Sequence, residues 1–186
     1  SRPCFFETGK LGEPWKGQWL GLEDGDTHPE FQKTFTLPEK PRSARLYICG
    51  LGLFEAYING EKAGDDLLAP FLNDYTEHFQ YCTYDVTGLL AEDNTLSVLL
   101  GDGWYRGHFG LGEPTHYDRP LALIAELRME FADGHRETLC SDSGWQYRGS
   151  FTTLSDIYNG ETQDYTKALG DWKQPVLISA PGRLCD

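Results

Sequence analysis

The feature that most constrains this chain is a succession of short segments in which apolar and polar residues alternate, each closed by a turn signal. Residues 31–37 (Phe-Gln-Lys-Thr-Phe-Thr-Leu) place Phe31, Lys33, Phe35 and Leu37 on one side, and Pro38 ends the run. Side chains along a strand point alternately to its two faces, so this period of two predicts a half-buried strand. Residues 43–49 repeat the pattern, with Ala44, Leu46 and Ile48 inward and Arg45 and Tyr47 outward. Residues 53–59 set Phe54, Ala56 and Ile58 on one face, and Asn59-Gly60 then supplies the left-handed pair that a tight hairpin needs. Further strands are expected at 80–86 and 95–100, with one helical turn at Leu89-Leu90-Ala91 between them. Residues 121–131 open as a continuous apolar run, then alternate Leu127, Met129 and Phe131 against Glu126, Arg128 and Glu130. Asp133-Gly134 returns the chain through 136–140, Trp145 and Tyr147 share a face, and a last extended piece is expected at 162–165.

These short strands, with long irregular connections and almost no helix, predict an all-β fold. Two connections, 60–78 and 101–120, are too long for a simple meander, which selects a jelly-roll β-sandwich. Twenty-one glycines and ten prolines are spread along the chain rather than clustered, as a turn-rich β domain requires. At 186 residues one domain has enough chain to bury a substantial core. Residues 1–30 read as an irregular lead-in that Trp15 and Trp19 pack on the body, 31–173 as the sandwich, and 174–186 as a linker toward an absent next domain.

The formal charge of −13, from 29 acidic and 16 basic residues, disfavours nucleic acid and anionic membranes as partners. It is compatible with neutral sugars and divalent cations. Five cysteines at wide spacings, with no CxxC, read as free buried thiols rather than a zinc site. Asp85, ahead of Val86-Thr87, is placed to cap the following turn. No nucleophile elbow, P-loop or dinucleotide fingerprint occurs, and nothing in the sequence shows the carboxyl spacing and raised pKa that an inverting glycosidase pair needs, so no catalytic residue is assigned.

The candidate chemistry lies in Leu99-Leu100-Gly101-Asp102-Gly103-Trp104-Tyr105-Arg106-Gly107-His108. Positive φ at Gly103 and Gly107 is expected to present Trp104, Tyr105 and Arg106 as a cluster. An aromatic face beside a bidentate donor is how proteins hold sugar rings. Asp102, Trp104, Tyr105 and Arg106 are therefore candidate sugar contacts. Against this stand two plainer readings: Trp104 as a core plug, and Arg106 with Asp102 as an ion pair fixing the loop.

The run Tyr57-Ile58-Asn59-Gly60-Glu61-Lys62-Ala63-Gly64-Asp65-Asp66, with Leu68-Ala69-Pro70, Asp74-Tyr75, Tyr84-Asp85-Val86-Thr87, Leu89-Leu90 and the 101–107 motif, resembles the N-terminal β-sandwich of bacterial α-L-rhamnosidases. Phe6-Glu7-Thr8-Gly9 and Asp156-Ile157-Tyr158-Asn159-Gly160-Glu161 extend the resemblance over nearly the whole chain. It implies a galactose-binding-domain-like accessory domain, with hydrolysis carried out by a downstream (α/α)₆ barrel that is also a packing partner. In some members this sandwich holds terminal L-rhamnose of plant glycosides or polysaccharides through a calcium ion. The resemblance places that metal at Asp65 and Asp66, with Pro120 supplying a carbonyl and Tyr117 a sugar contact. An Asn common in the acidic pair is Asp here. Asn73-Asp74 is an alternative pair, and a purely structural domain shaping the barrel's entrance is the alternative function.

Overall fold

The computed structural model describes residues 6–23, 28–108, 110, 120–179 and 182–185. Its strands are β1 (Trp19–Gly21), β2 (Pro29–Thr36), β3 (Ser43–Leu51), β4 (Leu53–Ile58), β5 (Glu61–Lys62), β6 (His78–Gln80), β7 (Cys82–Asp85), β8 (Asp93–Gly101), β9 (Ala122–Glu130), β10 (Arg136–Cys140), β11 (Gln146–Gly149), β12 (Thr152–Asp156), β13 (Gly160–Gln163), β14 (Val176–Ile178) and β15 (Arg183–Cys185). A helical turn, α1, spans Gly103–Arg106, and a 3₁₀ turn at Thr87–Leu89 stands two residues ahead of its expected place.

Two antiparallel sheets make the sandwich. One runs β14-β1-β9-β3-β7, with β10 sharing an edge of β9, and the other runs β11-β2-β8-β4-β5. Registers follow the alternation: Ala44, Leu46 and Ile48 of β3 pair with Met129, Leu127 and Ala125 of β9, and all six are buried. Phe31 pairs with Val98, and Ala56 with Val98 from the other side, which closes the facing sheet on the same core. The Asn59-Gly60 hairpin forms with φ of 55° and 83°, joining Ile58 to Glu61. Asp85 caps as expected, its Oδ1 accepting from Thr87 N at 3.0 Å and Oγ1 at 2.7 Å. The fold is an all-β sandwich.

Three departures have a common cause in long-range covering. The lead-in is not irregular throughout, because β1 within it pairs with both β9 and β14. Residues 174–186, read as a linker, supply β14 at a sheet edge and β15 in parallel pairing with β6. Tyr47 and Glu126 face outward from their sheet as predicted, yet are 8% and 0% exposed, since residues 10–18 lie across them. Cys49 is buried, which pushes its thiol pKa well up, whereas Cys82, Cys140 and Cys185 are only half-buried. Cys4 lies outside the described residues.

Candidate functional site

Strand β8 ends at Gly101 and the chain turns at once into α1, whose Tyr105 and Arg106 N–H groups donate to the Asp102 carbonyl, both at 3.1 Å. Gly103 adopts φ +49°, and a Cβ there would lie 2.2 Å from Leu53 Cγ, so both conformation and space require glycine. Gly107 corrects an expectation. Its φ is −80°, and glycine is needed there because a Cβ would meet the Gly103 carbonyl at 2.4 Å and Asp156 Oδ2 at 2.7 Å.

The turn separates its aromatic pair. Tyr105 is fully buried, edge-on to Tyr75 at 5.1 Å, and this removes it as a sugar contact. The end of the sandwich needs an apolar plug, and Tyr105 rather than Trp104 supplies it. Trp104 is half-buried and meets Tyr158 edge-on at 6.5 Å, with Tyr158 itself 56% exposed.

Arg106 is committed to the loop. Its Nε and Nη2 reach Asp102 Oδ1 at 2.7 and 2.6 Å, while His28 Nε2 contacts Asp102 Oδ2 at 3.0 Å. Burial pushes the Asp102 carboxyl up, but the His28 hydrogen bond and the neighbouring positive charge win and hold it below the usual carboxylate range. A second clamp is Asp156. Its Oδ2 accepts from His108 N at 2.7 Å and faces His108 Nδ1 at 2.8 Å, and its Oδ1 accepts from Tyr158 N and Asn159 N at 2.9 and 2.8 Å. Against the upward push of burial, these bonds drive its pKa far below the ordinary value. The first clamp ties the 101–108 loop to His28 just ahead of β2, and the second ties it to the β12–β13 hairpin. Asp156 stood in the sequence resemblance without a role. His28 gave no signal, because its partner is 74 residues away.

Under that hairpin lies a cavity of about 310 Å³, lined by Leu53, Leu68, Leu99, Glu55, Ser155 and Glu161 among others. Glu55 is held in place by Lys62 Nζ at 2.7 Å and the Tyr57 hydroxyl at 2.5 Å. Burial, then the Glu55 carboxylate, push the Tyr57 hydroxyl up to about 12, so it stays a donor. The lining mixes apolar Leu53, Leu68, Leu99 and Leu100 with the carboxylates of Glu55, Asp156 and Glu161, the Gln163 amide and the hydroxyls of Thr152 and Ser155.

The acidic loop borders this cavity through Leu68. Gly64 has φ +81° and lies against the Tyr84 ring, where a Cβ would approach within 2.3 Å. Tyr84 Oη then donates to Asp66 Oδ2 at 3.0 Å, Lys62 Nζ donates to the Asp66 carbonyl at 3.1 Å, and Asp65 is exposed. Asn73 and Asp74 are spent on their own loop: Asp74 Oδ1 accepts from Thr76 N and Oγ1, and Asn73 Nδ2 donates to the Phe71 carbonyl. Pro120 is half-buried two residues ahead of β9, and Tyr117 lies outside the described residues. Among the described residues no three His, Cys, Asp or Glu side chains gather as a metal site.

Residues 39–180 match the model of the α-L-rhamnosidase N-terminal domain. The chain is 39% identical over 148 residues to an α-L-rhamnosidase of Streptomyces avermitilis, covering 78% of this chain and 14% of that protein. The crystal structure of a Streptomyces avermitilis α-L-rhamnosidase complexed with L-rhamnose superposes with a TM-score of 0.77 at 34% identity, over 84% of this chain and 16% of that one. An α-L-rhamnosidase from Dictyoglomus thermophilum gives a TM-score of 0.78 at 30% identity, over 94% and 22%. The chain thus spans only a small part of the length of these relatives. With the match extending from β3 through the β12–β13 hairpin to β14, this chain belongs to the α-L-rhamnosidase N-terminal domain family.

Proposed function

We propose that this domain serves a larger α-L-rhamnosidase by binding terminal L-rhamnosyl residues, with the hydrolytic carboxylates elsewhere in that enzyme. The cavity beneath the β12–β13 hairpin carries the reading. At about 310 Å³ it is at the small end of ligand pockets, so it suits one or two rings and hence a chain end. Its leucines suit the methyl and C–H face of a deoxy sugar, and its polar lining groups suit hydroxyls. That a similar rhamnosidase was solved with L-rhamnose supports the choice of sugar. Trp104, half-buried beside Tyr158, does not line the cavity and would serve as the aromatic contact for the part of the glycan outside it, while Arg106 and Asp102 shape the loop.

Calcium is proposed at Asp65 and Asp66. The donors fit a hard cation in kind, since Asp65 is open to solvent and Tyr84 holds Asp66 in place. They fall short in number, because such a cation takes six to eight oxygens. The Pro120 carbonyl and a vicinal diol of the sugar would supply others, so cation and sugar bind together. Calorimetric titration of the domain with L-rhamnose is expected to give heat with calcium and none with EDTA, at a Kd between about 1 mM and 1 μM. Asp65→Ala is expected to abolish that heat without moving the melting curve in chelator. Silence under both conditions overturns the binding reading.

One observation favours an additional packing role. Leu67, Phe71 and Leu72 are 80%, 68% and 51% exposed on a loop anchored by buried Ala69 and Tyr75, with Phe54 N donating to the Ala69 carbonyl at 2.7 Å. Each such side chain gains about 1.5–3 kcal/mol on full burial. In the whole enzyme, Leu67→Ser with Phe71→Ser is expected to loosen this domain from the barrel. Limited proteolysis would then release it faster, with rhamnose affinity unchanged. An unchanged cleavage rate rejects the contact.

A further inference from the structure

A second cavity, of about 720 Å³, opens on the other sheet, between the lead-in and β15. Its walls include Trp15, Trp19, Tyr81, Ile124 and Arg183. Trp15 and Tyr81 meet edge to face at 5.4 Å, and Trp19 is braced the same way by Phe79 at 5.6 Å, so the aromatic wall is fixed before any ligand arrives. The other charges at this cavity are already matched. Lys10 pairs with Glu126 at 2.7 Å, and Glu13 takes Arg128 through two bonds of 2.8 and 3.2 Å. Arg183 is different. Its backbone is held by β6 and by the Glu77 carbonyl at 3.1 Å, yet its exposed guanidinium pairs with no carboxylate among the described residues. Exposed Lys16, Lys40 and Lys167 likewise pair with no carboxylate among the described residues, so what sets Arg183 apart is its place in the lining of a cavity walled by Trp15, Trp19 and Tyr81.

We propose that this cavity is a second saccharide site, selective for a pyranose that carries a carboxylate or sulfate. Aromatic faces cover sugar C–H groups, and a guanidinium takes two oxygens of a planar or tetrahedral anion at once. The volume accommodates more than one ring, so the charged residue sits within an oligosaccharide rather than alone. None of these residues touches the rhamnose pocket, so this site stands or falls independently of it.

The test is a titration of the 186-residue chain, read by tryptophan fluorescence, with galacturonic acid, galactose 6-sulfate, galactose and acetate. Galacturonic acid or the sulfate ester is expected to bind at least about tenfold more tightly than galactose or acetate, and which of the two wins identifies the anion. Arg183→Gln is expected to remove that tenfold preference while leaving the melting midpoint and the L-rhamnose titration unchanged. Equal binding of galactose and galacturonic acid, binding of acetate as tight as the charged sugars, or an Arg183→Gln chain that keeps the preference would each overturn the proposal.

Discussion

Glu126→Ala is expected to lower the unfolding free energy by about 3–5 kcal/mol, although the sequence shows Glu126 as one of three charges on a strand's solvent side. Glu126 is fully buried under the lead-in. Its Oε2 accepts from Lys10 Nζ at 2.7 Å and from Arg128 Nε and Nη2 at 3.1 and 2.8 Å, and its Oε1 accepts from the backbone N–H of Lys16 and Gly17. Removing the carboxylate strands the Lys10 ammonium, whose side chain is 2% exposed and sits 4.5 Å from the Trp15 ring centroid. A buried charge without its partner is the expensive case, whereas removing both partners is often neutral. Lys10→Met with Glu126→Leu should therefore recover most of the loss. Urea unfolding checks this through a lower midpoint at unchanged slope. A loss below about 1 kcal/mol would mean that the lead-in is not energetically tied to the sheet.

The same group has a pH signature. Burial pushes the Glu126 carboxyl up, but hydrogen bonds from Lys10 and Arg128, with the two backbone donors, hold it below its ordinary value of 4.5. A carboxylate whose folded pKa lies below its unfolded one stabilises the fold fully above the unfolded value and loses that contribution as pH falls through the folded one. The gap between wild type and Glu126→Ala should be constant near neutrality and narrow below about pH 4.5.

Tyr105→Ala is expected to cost about 3–5 kcal/mol, and its neighbour Trp104→Ala only about 1–2 kcal/mol. Tyr105 has no exposed surface and packs on Tyr75, which itself stacks on Phe79 at 6.1 Å. The cavity left behind cannot close easily, because Asp102 and the crowded Gly103 pin the backbone that would have to move. Trp104 makes its edge contact with Tyr158 at the surface, so its loss should fall on rhamnose binding instead. Unfolding curves and rhamnose titrations of the two variants separate these roles. A Tyr105→Ala chain of near wild-type stability would reject the plug, and a Trp104→Ala chain that binds rhamnose normally would remove Trp104 from the site.

What was legible in the chain is what depends on neighbours in sequence. Alternation along 31–37, 43–49 and 53–58 specifies which side chains meet, because a strand's side-chain period of two is a local property. Asn59-Gly60, Asp133-Gly134 and the Asp85 cap follow from backbone preferences within a few residues. The 101–108 motif stood out at one end of the sandwich, but its period could not say that Tyr105 turns inward and Trp104 outward. That choice depends on Leu53, Tyr75 and Asp156, which other elements bring there. Likewise nothing near Glu126 predicts its burial, since Lys10 reaches it across 116 residues of chain. The short strands at 176–178 and 183–185 exist only because β1 and β6 offer unpaired edges. Sequence by itself determined the sandwich and its core faces through local periodicity. Tertiary structure alone decided which polar groups are buried and which aromatic is the plug, because burial is set by segments far away along the chain.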